Sequence, residues 1–142
     1  TQQIVMFGLP SGAIVADLPG YGYAAVPKAV KRVWQDVLAT YVATRSTLVA
    51  LVLVVDARHG LKPLDLAMLD GFLPSGRPVM VLATKSDKLT RTESARASAA
   101  IRGQLAERYP GQAARVTVVP FSATARTGLM EADAILARWL VA

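Results

Sequence analysis

The chain has 142 residues, 53% hydrophobic and 18% charged, enough apolar material for one buried core and too much for a disordered chain. With no cysteine it cannot form disulfides or thiolate metal sites, and its single histidine argues against a histidine-built zinc site. Sixteen Lys and Arg against ten Asp and Glu give a formal charge of +6, which suits a polyanionic partner such as nucleic acid and a plainly solvated basic surface equally well.

The N-terminal stretch TQQIVMFG has neither the basic region nor the cleavage site of a secretory signal. QIVMF (residues 3–7) reads as a strand, Pro10-Ser11-Gly12 as a turn and residues 13–16 as a second strand, together a hairpin. Pro27 suits the first position of a helix. From there Val30, Val33, Trp34, Val37, Leu38 and Tyr41 recur at helical spacing, with Lys28, Lys31, Arg32, Gln35 and Asp36 on the other face.

The apolar run LVALVLVV (residues 48–55) is too short to cross a bilayer and reads as a buried strand. A short helix follows Pro63 to about Leu73, then a buried strand over residues 79–83. Thr90 and Glu93 form a capping-box pattern opening an alanine-rich helix to about Arg108. RVTVVPF, from Arg115, is a further strand, and a last helix from near Thr127 carries Leu129, Ile135, Leu136, Trp139 and Leu140 as its apolar face. After the hairpin, strands apolar on both faces alternate with helices, the pattern of a mostly parallel sheet covered on both sides.

In such a sheet a ligand lies beyond the carboxyl ends of the strands. There the sequence places Asp17-Leu18-Pro19-Gly20, then Asp56-Ala57-Arg58-His59, then Thr84-Lys85-Ser86-Asp87, then Phe121-Ser122-Ala123. No stretch decides alone: a strand-ending Asp before Pro-Gly often only caps the next segment, TKSD says more but could be an ordinary solvated loop, and FSA says almost nothing. Together, in this order, they resemble the guanine-nucleotide-binding domain of the Ras-like P-loop GTPases. The resemblance implies a three-layer α/β fold: a mostly parallel central sheet with one antiparallel edge strand and helices on both faces.

It also implies roles for the residues that match. Asp17 would hold Mg²⁺ through a water, and Gly20 would leave its N–H open to a γ-phosphate. Leu18 and Pro19 complete that turn. Lys85 would lay its aliphatic stem along a purine. Asp87 would accept hydrogen bonds from guanine's ring N–H and exocyclic amine. Ser122 and Ala123, after Phe121, would offer backbone N–H groups to the guanine carbonyl. Thr84, where most such proteins carry Asn, together with LPGYGYA and DARHGLKPLD, is similar to the EngB family of ribosome-biogenesis GTPases. That family implies a bacterial, cytoplasmic, monomeric protein without a membrane, binding GTP or GDP with Mg²⁺. Its expected partner is the large ribosomal subunit, through rRNA and ribosomal proteins, with Lys28, Lys31 and Arg32 as one candidate surface.

One departure is large: the phosphate loop GxxxxGK(S/T) of such proteins is absent, and GLPSGAIV is no substitute. The fold's first strand belongs between the strands carrying Asp17 and Asp56. The expectation is therefore a single domain over residues 1–142 whose first strand and phosphate loop precede Thr1. Thr1, in TQ, matches the end of the family's first switch and is a candidate Mg²⁺ ligand. Tyr21 stands where Ras-like enzymes keep a water-orienting glutamine, so hydrolysis should be slow. Tyr23 reads as packing, Trp34 and Trp139 as core, and His59 as a loop residue or partner contact. The alternatives are a non-catalytic RNA- or protein-binding scaffold on the same fold, or another P-loop GTPase acting in tRNA modification or iron transport.

Overall fold

The structure is a computed structural model and describes residues 4–18 and 27–140. Thr1, Pro19, Gly20, Tyr21 and Tyr23 lie outside the described residues. Strands β1 (Val5–Gly8) and β2 (Ile14–Asp17) form the expected antiparallel hairpin, with Val5 opposite Asp17 and Gly8 opposite Ile14. Helix α1 (Lys28–Thr44) starts one residue later than expected, with Pro27 as its N-cap. β3 (Leu51–Asp56), α2 (Pro63–Phe72), β4 (Val79–Thr84), α3 (Arg91–Arg108), β5 (Val116–Pro120) and α4 (Leu129–Trp139) follow in strict alternation.

β3, β4 and β5 are parallel neighbours in that order. Alternate residues of β4 separate the two faces. Val79, Val81 and Ala83 join Leu51, Leu53, Val55 and Val118 in the main core, under Leu38 of α1, Leu69 and Phe72 of α2 and Ile101 and Leu105 of α3. Met80 and Val119 point to the other side and meet Ala132 and Ile135 of α4. Helices thus cover both faces, as the sequence pattern implied.

The strands lie in two sheets, β1–β2 and β3–β4–β5. Nothing among the described residues pairs the strand ending in Asp17 with the strand ending in Asp56, which agrees with the expectation that the fold's first strand belongs between them. Two expectations need correction. The apolar stripe of α1 is only partly buried: Leu38 and Val42 are buried, whereas Val33 is 61% exposed. The contact side is displaced because α1 packs on α2 at Gly71, where a Cβ would lie 2.9 Å from the Ala39 carbonyl oxygen. Leu129, expected in the core, is exposed, because α4 turns Ala132 and Ile135 inward. Trp34 and Trp139 are half-buried against the two cores.

Two local devices fix α3. Its capping box is made: Glu93 N–H donates to Thr90 Oγ1 at 3.1 Å and Thr90 N–H to Glu93 Oε1 at 2.9 Å. At its other end the Tyr109 hydroxyl donates to Asp70 Oδ1 at 2.7 Å, and Arg108 forks onto the same carboxylate, tying α3 to α2. No helix among the described residues is long and apolar enough to cross a membrane.

Candidate functional site

The parallel register sets the strand ends level, with Asp56 beside Thr84 and Ala83 beside Pro120. The loops that follow β3, β4 and β5 therefore leave the sheet side by side, and hydrogen bonds lace them together. Ala57 N–H donates to the Thr84 carbonyl at 2.9 Å, and Thr84 Oγ1 donates back to the Val55 carbonyl at 3.0 Å. Phe121 N–H donates to the Ala83 carbonyl at 2.8 Å and Ser86 N–H to the Phe121 carbonyl at 3.1 Å. Lys85 between them has φ 59° and ψ 31°, a left-handed backbone that costs a non-glycine residue about 1–2 kcal/mol. Such strain persists only where neighbours over-determine the loop, and here they do.

Asp87 sits on the short turn Ser86–Lys88, exposed but fixed in direction. The Ser122 hydroxyl donates to its Oδ1 at 2.9 Å. That bond, opposed by partial desolvation, holds the Asp87 carboxyl below the usual carboxylate range, so it is an ionised acceptor at neutral pH. Ser122 itself is 1% exposed, and its oxygen also accepts the Ala125 N–H at 3.1 Å.

The role expected of Ser122 changes here. Its N–H donates to the Thr127 carbonyl at 3.0 Å and is therefore already taken. Ala123 is exposed and its N–H has no partner among the described residues, so of the two it is Ala123 that can offer a backbone donor to a ligand. Ser122 instead aims Asp87. The loop closes at Gly128, whose φ of 73° and whose missing Cβ, which would stand 2.1 Å from the Pro120 carbonyl oxygen, both require glycine.

Asp56 is a second organised carboxylate, which sequence reading placed at the strand end without a role. Its Oδ1 accepts the Arg58 N–H at 2.9 Å and Arg58 Nε at 3.1 Å, while Oδ2 accepts Nη2 at 2.8 Å. Lys85 Nζ lies 3.7 Å from the same Oδ2. The Arg58 guanidinium is the main reason the Asp56 carboxyl lies far below its ordinary range. The signal in sequence is the Asp-x-Arg spacing, in which a carboxylate turns back on the N–H two residues on. His59 lies exposed on the same loop and lines, with Arg58, Leu61 and Arg96, a cleft of ≈ 520 Å³ against α3.

The structure thus brings together Thr84, Lys85, Ser86, Asp87, Phe121, Ser122 and Ala123. Asp17 ends β2 and is exposed, with no hydrogen bond from its side chain to those residues, while Leu18 packs against the main core. The arrangement is an ionised, directed double acceptor beside a free backbone donor and a long cationic side chain. Those groups match the edge and face of a flat base that has two adjacent N–H donors and a carbonyl.

The chain is 48% identical over 141 residues to a probable GTP-binding protein EngB of Azoarcus sp., covering 99% of this chain and 66% of that one. A protein of the same name from Methylobacillus flagellatus is 42% identical over 142 residues, covering all of this chain and 67% of its own. The chain belongs to the EngB family of GTP-binding proteins. It spans about two thirds of the length of the EngB relatives it matches, 66% and 63% for the Azoarcus and Aromatoleum aromaticum proteins. No protein-family model matches the chain.

Among solved structures, this EngB chain is similar to elongation factor SelB of Methanococcus maripaludis in complex with the GTP analogue GppNHp. The TM-score is 0.68 at 22% identity, over 99% of this chain and 28% of that one. It is also similar to Era in complex with MgGDPNP and a 16S ribosomal RNA segment, with TM-score 0.59 at 20% identity, over 98% of this chain and 45% of that one. These likenesses establish the Ras-like P-loop GTPase fold.

Proposed function

We propose that the protein binds guanine nucleotides and hydrolyses GTP slowly, as a cytoplasmic switch in assembly of the large ribosomal subunit. The observation that carries the reading is Asp87, an ionised carboxylate aimed by a buried serine from the neighbouring loop. Its two oxygens suit guanine's ring N–H and amine, the Ala123 N–H suits the carbonyl, and the Lys85 stem suits the purine face. Family membership supports the nucleotide, and the basic excess is compatible with an rRNA partner.

Mg²⁺ fits the donor set. Among the described residues no group of three or more His, Cys, Asp or Glu converges, and a lone carboxylate such as Asp17 suits an ion that keeps waters and shares substrate phosphates. When bound, the ion would neutralise charge on the phosphates. Tyr21, in the place of a water-orienting glutamine, cannot offer an amide, so turnover without a partner should be slow.

Asp87→Asn replaces one acceptor by an amide. In the intact protein, binding of fluorescent GDP should weaken about ten- to a hundredfold while XDP, with a carbonyl in place of the amine, gains. Unchanged selectivity between GDP and XDP removes Asp87 from the base site and this reading with it.

A further inference from the structure

We propose that Asp56 is a positioning residue for Lys85: its carboxylate anchors the Lys85 ammonium so that the stem is ordered before a base arrives. The proposal rests on the guanine reading of the loop that carries Lys85. Three observations point to it. The Asp56 carboxylate is itself immobilised, with both oxygens engaged by Arg58 and its side chain only 17% exposed. Lys85, by contrast, is 59% exposed, and Asp56 is the only carboxylate within 4.0 Å of its ammonium among the described residues. The fixed partner is the acid and the mobile one is the lysine.

The third observation is the left-handed backbone of Lys85, which sets the direction in which the side chain leaves the loop. A carboxylate offers about four acceptor positions, and Arg58 occupies three, so one remains for the ammonium. A free lysine stem loses rotamer entropy on being held against a ligand. An anchor at its tip removes part of that loss in advance, which strengthens binding without touching the ligand.

The test uses the intact protein and fluorescent GDP. Asp56→Asn keeps an oxygen for the Arg58 N–H, so the turn survives, while the charge is lost and the oxygen that faces Arg58 Nη2 and Lys85 becomes an NH2 donor. It should weaken GDP about three- to fivefold at low salt, and the gap to wild type should close as salt rises, since the pair is partly exposed. Combined with Lys85→Ala, Asp56→Asn should have no further effect. An equal loss in the Lys85→Ala background, or a gap indifferent to salt, makes Asp56 a loop-stabilising residue only and overturns the proposal. If wild type does not prefer guanine at all, the base-site reading fails first, a result distinct from additivity in a protein that binds GDP.

Discussion

The two sheets are made of the same kinds of residue and end in different states. In β3–β4–β5, Val79, Val81 and Val119 are wholly buried, with helices above and below. In the hairpin, Phe7 is 51% and Ile14 65% exposed, although both are as apolar as their counterparts. Even within β3 the contrast holds. Leu53 and Val55 are buried, while Val54, on the α4 face but outside the cluster that α4 covers, is 67% exposed. Burial here is decided by whether a layer lies opposite, and composition has no say in that. The organised half of the candidate site, Lys85 to Asp87 with Ser122, hangs from the packed sheet, and Asp17 hangs from the open one.

Core truncation should break the comparison most sharply. Phe72→Ala empties a fully buried position and should lower stability by about 4 kcal/mol, whereas Phe7→Ala in the hairpin should remove less than about 1 kcal/mol. Urea unfolding of both variants measures this. Equal losses would mean that the hairpin carries as much of the stability as the packed sheet.

A somewhat smaller loss is expected from Gly128→Ala, about 3 kcal/mol, because a left-handed backbone and a Cβ driven against the Pro120 carbonyl act together. Since that residue closes the loop holding Ser122, GDP affinity should fall as well. A stable variant with unchanged affinity would show that the loop is not set by Gly128.

The smallest effect concerns Tyr109, at the end of the packed half far from the strand ends. Burial, and then the bond to Asp70, push its hydroxyl from 10.0 up to about 12. A folded-state pKa raised in this way stabilises the fold fully below pH 10, and the contribution disappears as pH rises through about 12. Tyr109→Phe should lose about 1.5 kcal/mol at neutral pH through the missing bond to a charged acceptor. It should also flatten the alkaline fall of the unfolding midpoint over that window. A fall that persists in the variant assigns the alkaline transition to another group.

Much of this was legible in the sequence. The uninterrupted apolar runs announced the three parallel strands, the Thr90–Glu93 pair announced the start of α3, and the polar stretches after each strand announced the loops that meet. Periodicity could not reveal which side of the α1 stripe would face a neighbour, because Val33 and Leu38 are equally apolar and only the approach of α2 at Gly71 distinguishes them. Nor could it reveal that the Ser122 N–H is consumed by Thr127, a closure made by backbone atoms that every residue carries. The Asp56–Arg58–Lys85 cluster joins loops far apart in the chain, and only the register of β3 against β4 brings them level.

The order β3–β4–β5 has a kinetic consequence. Each strand pairs with the next in the chain, one crossover helix away, and the hairpin closes on itself through a turn at Pro10. The hairpin can therefore assemble from contacts close in sequence, whereas the parallel sheet must wait for its crossover helices, and each has the means to open as its own cooperative unit. Amide exchange should then divide into two populations, the hairpin protons exchanging early and those of β4 last, each governed by a separate opening.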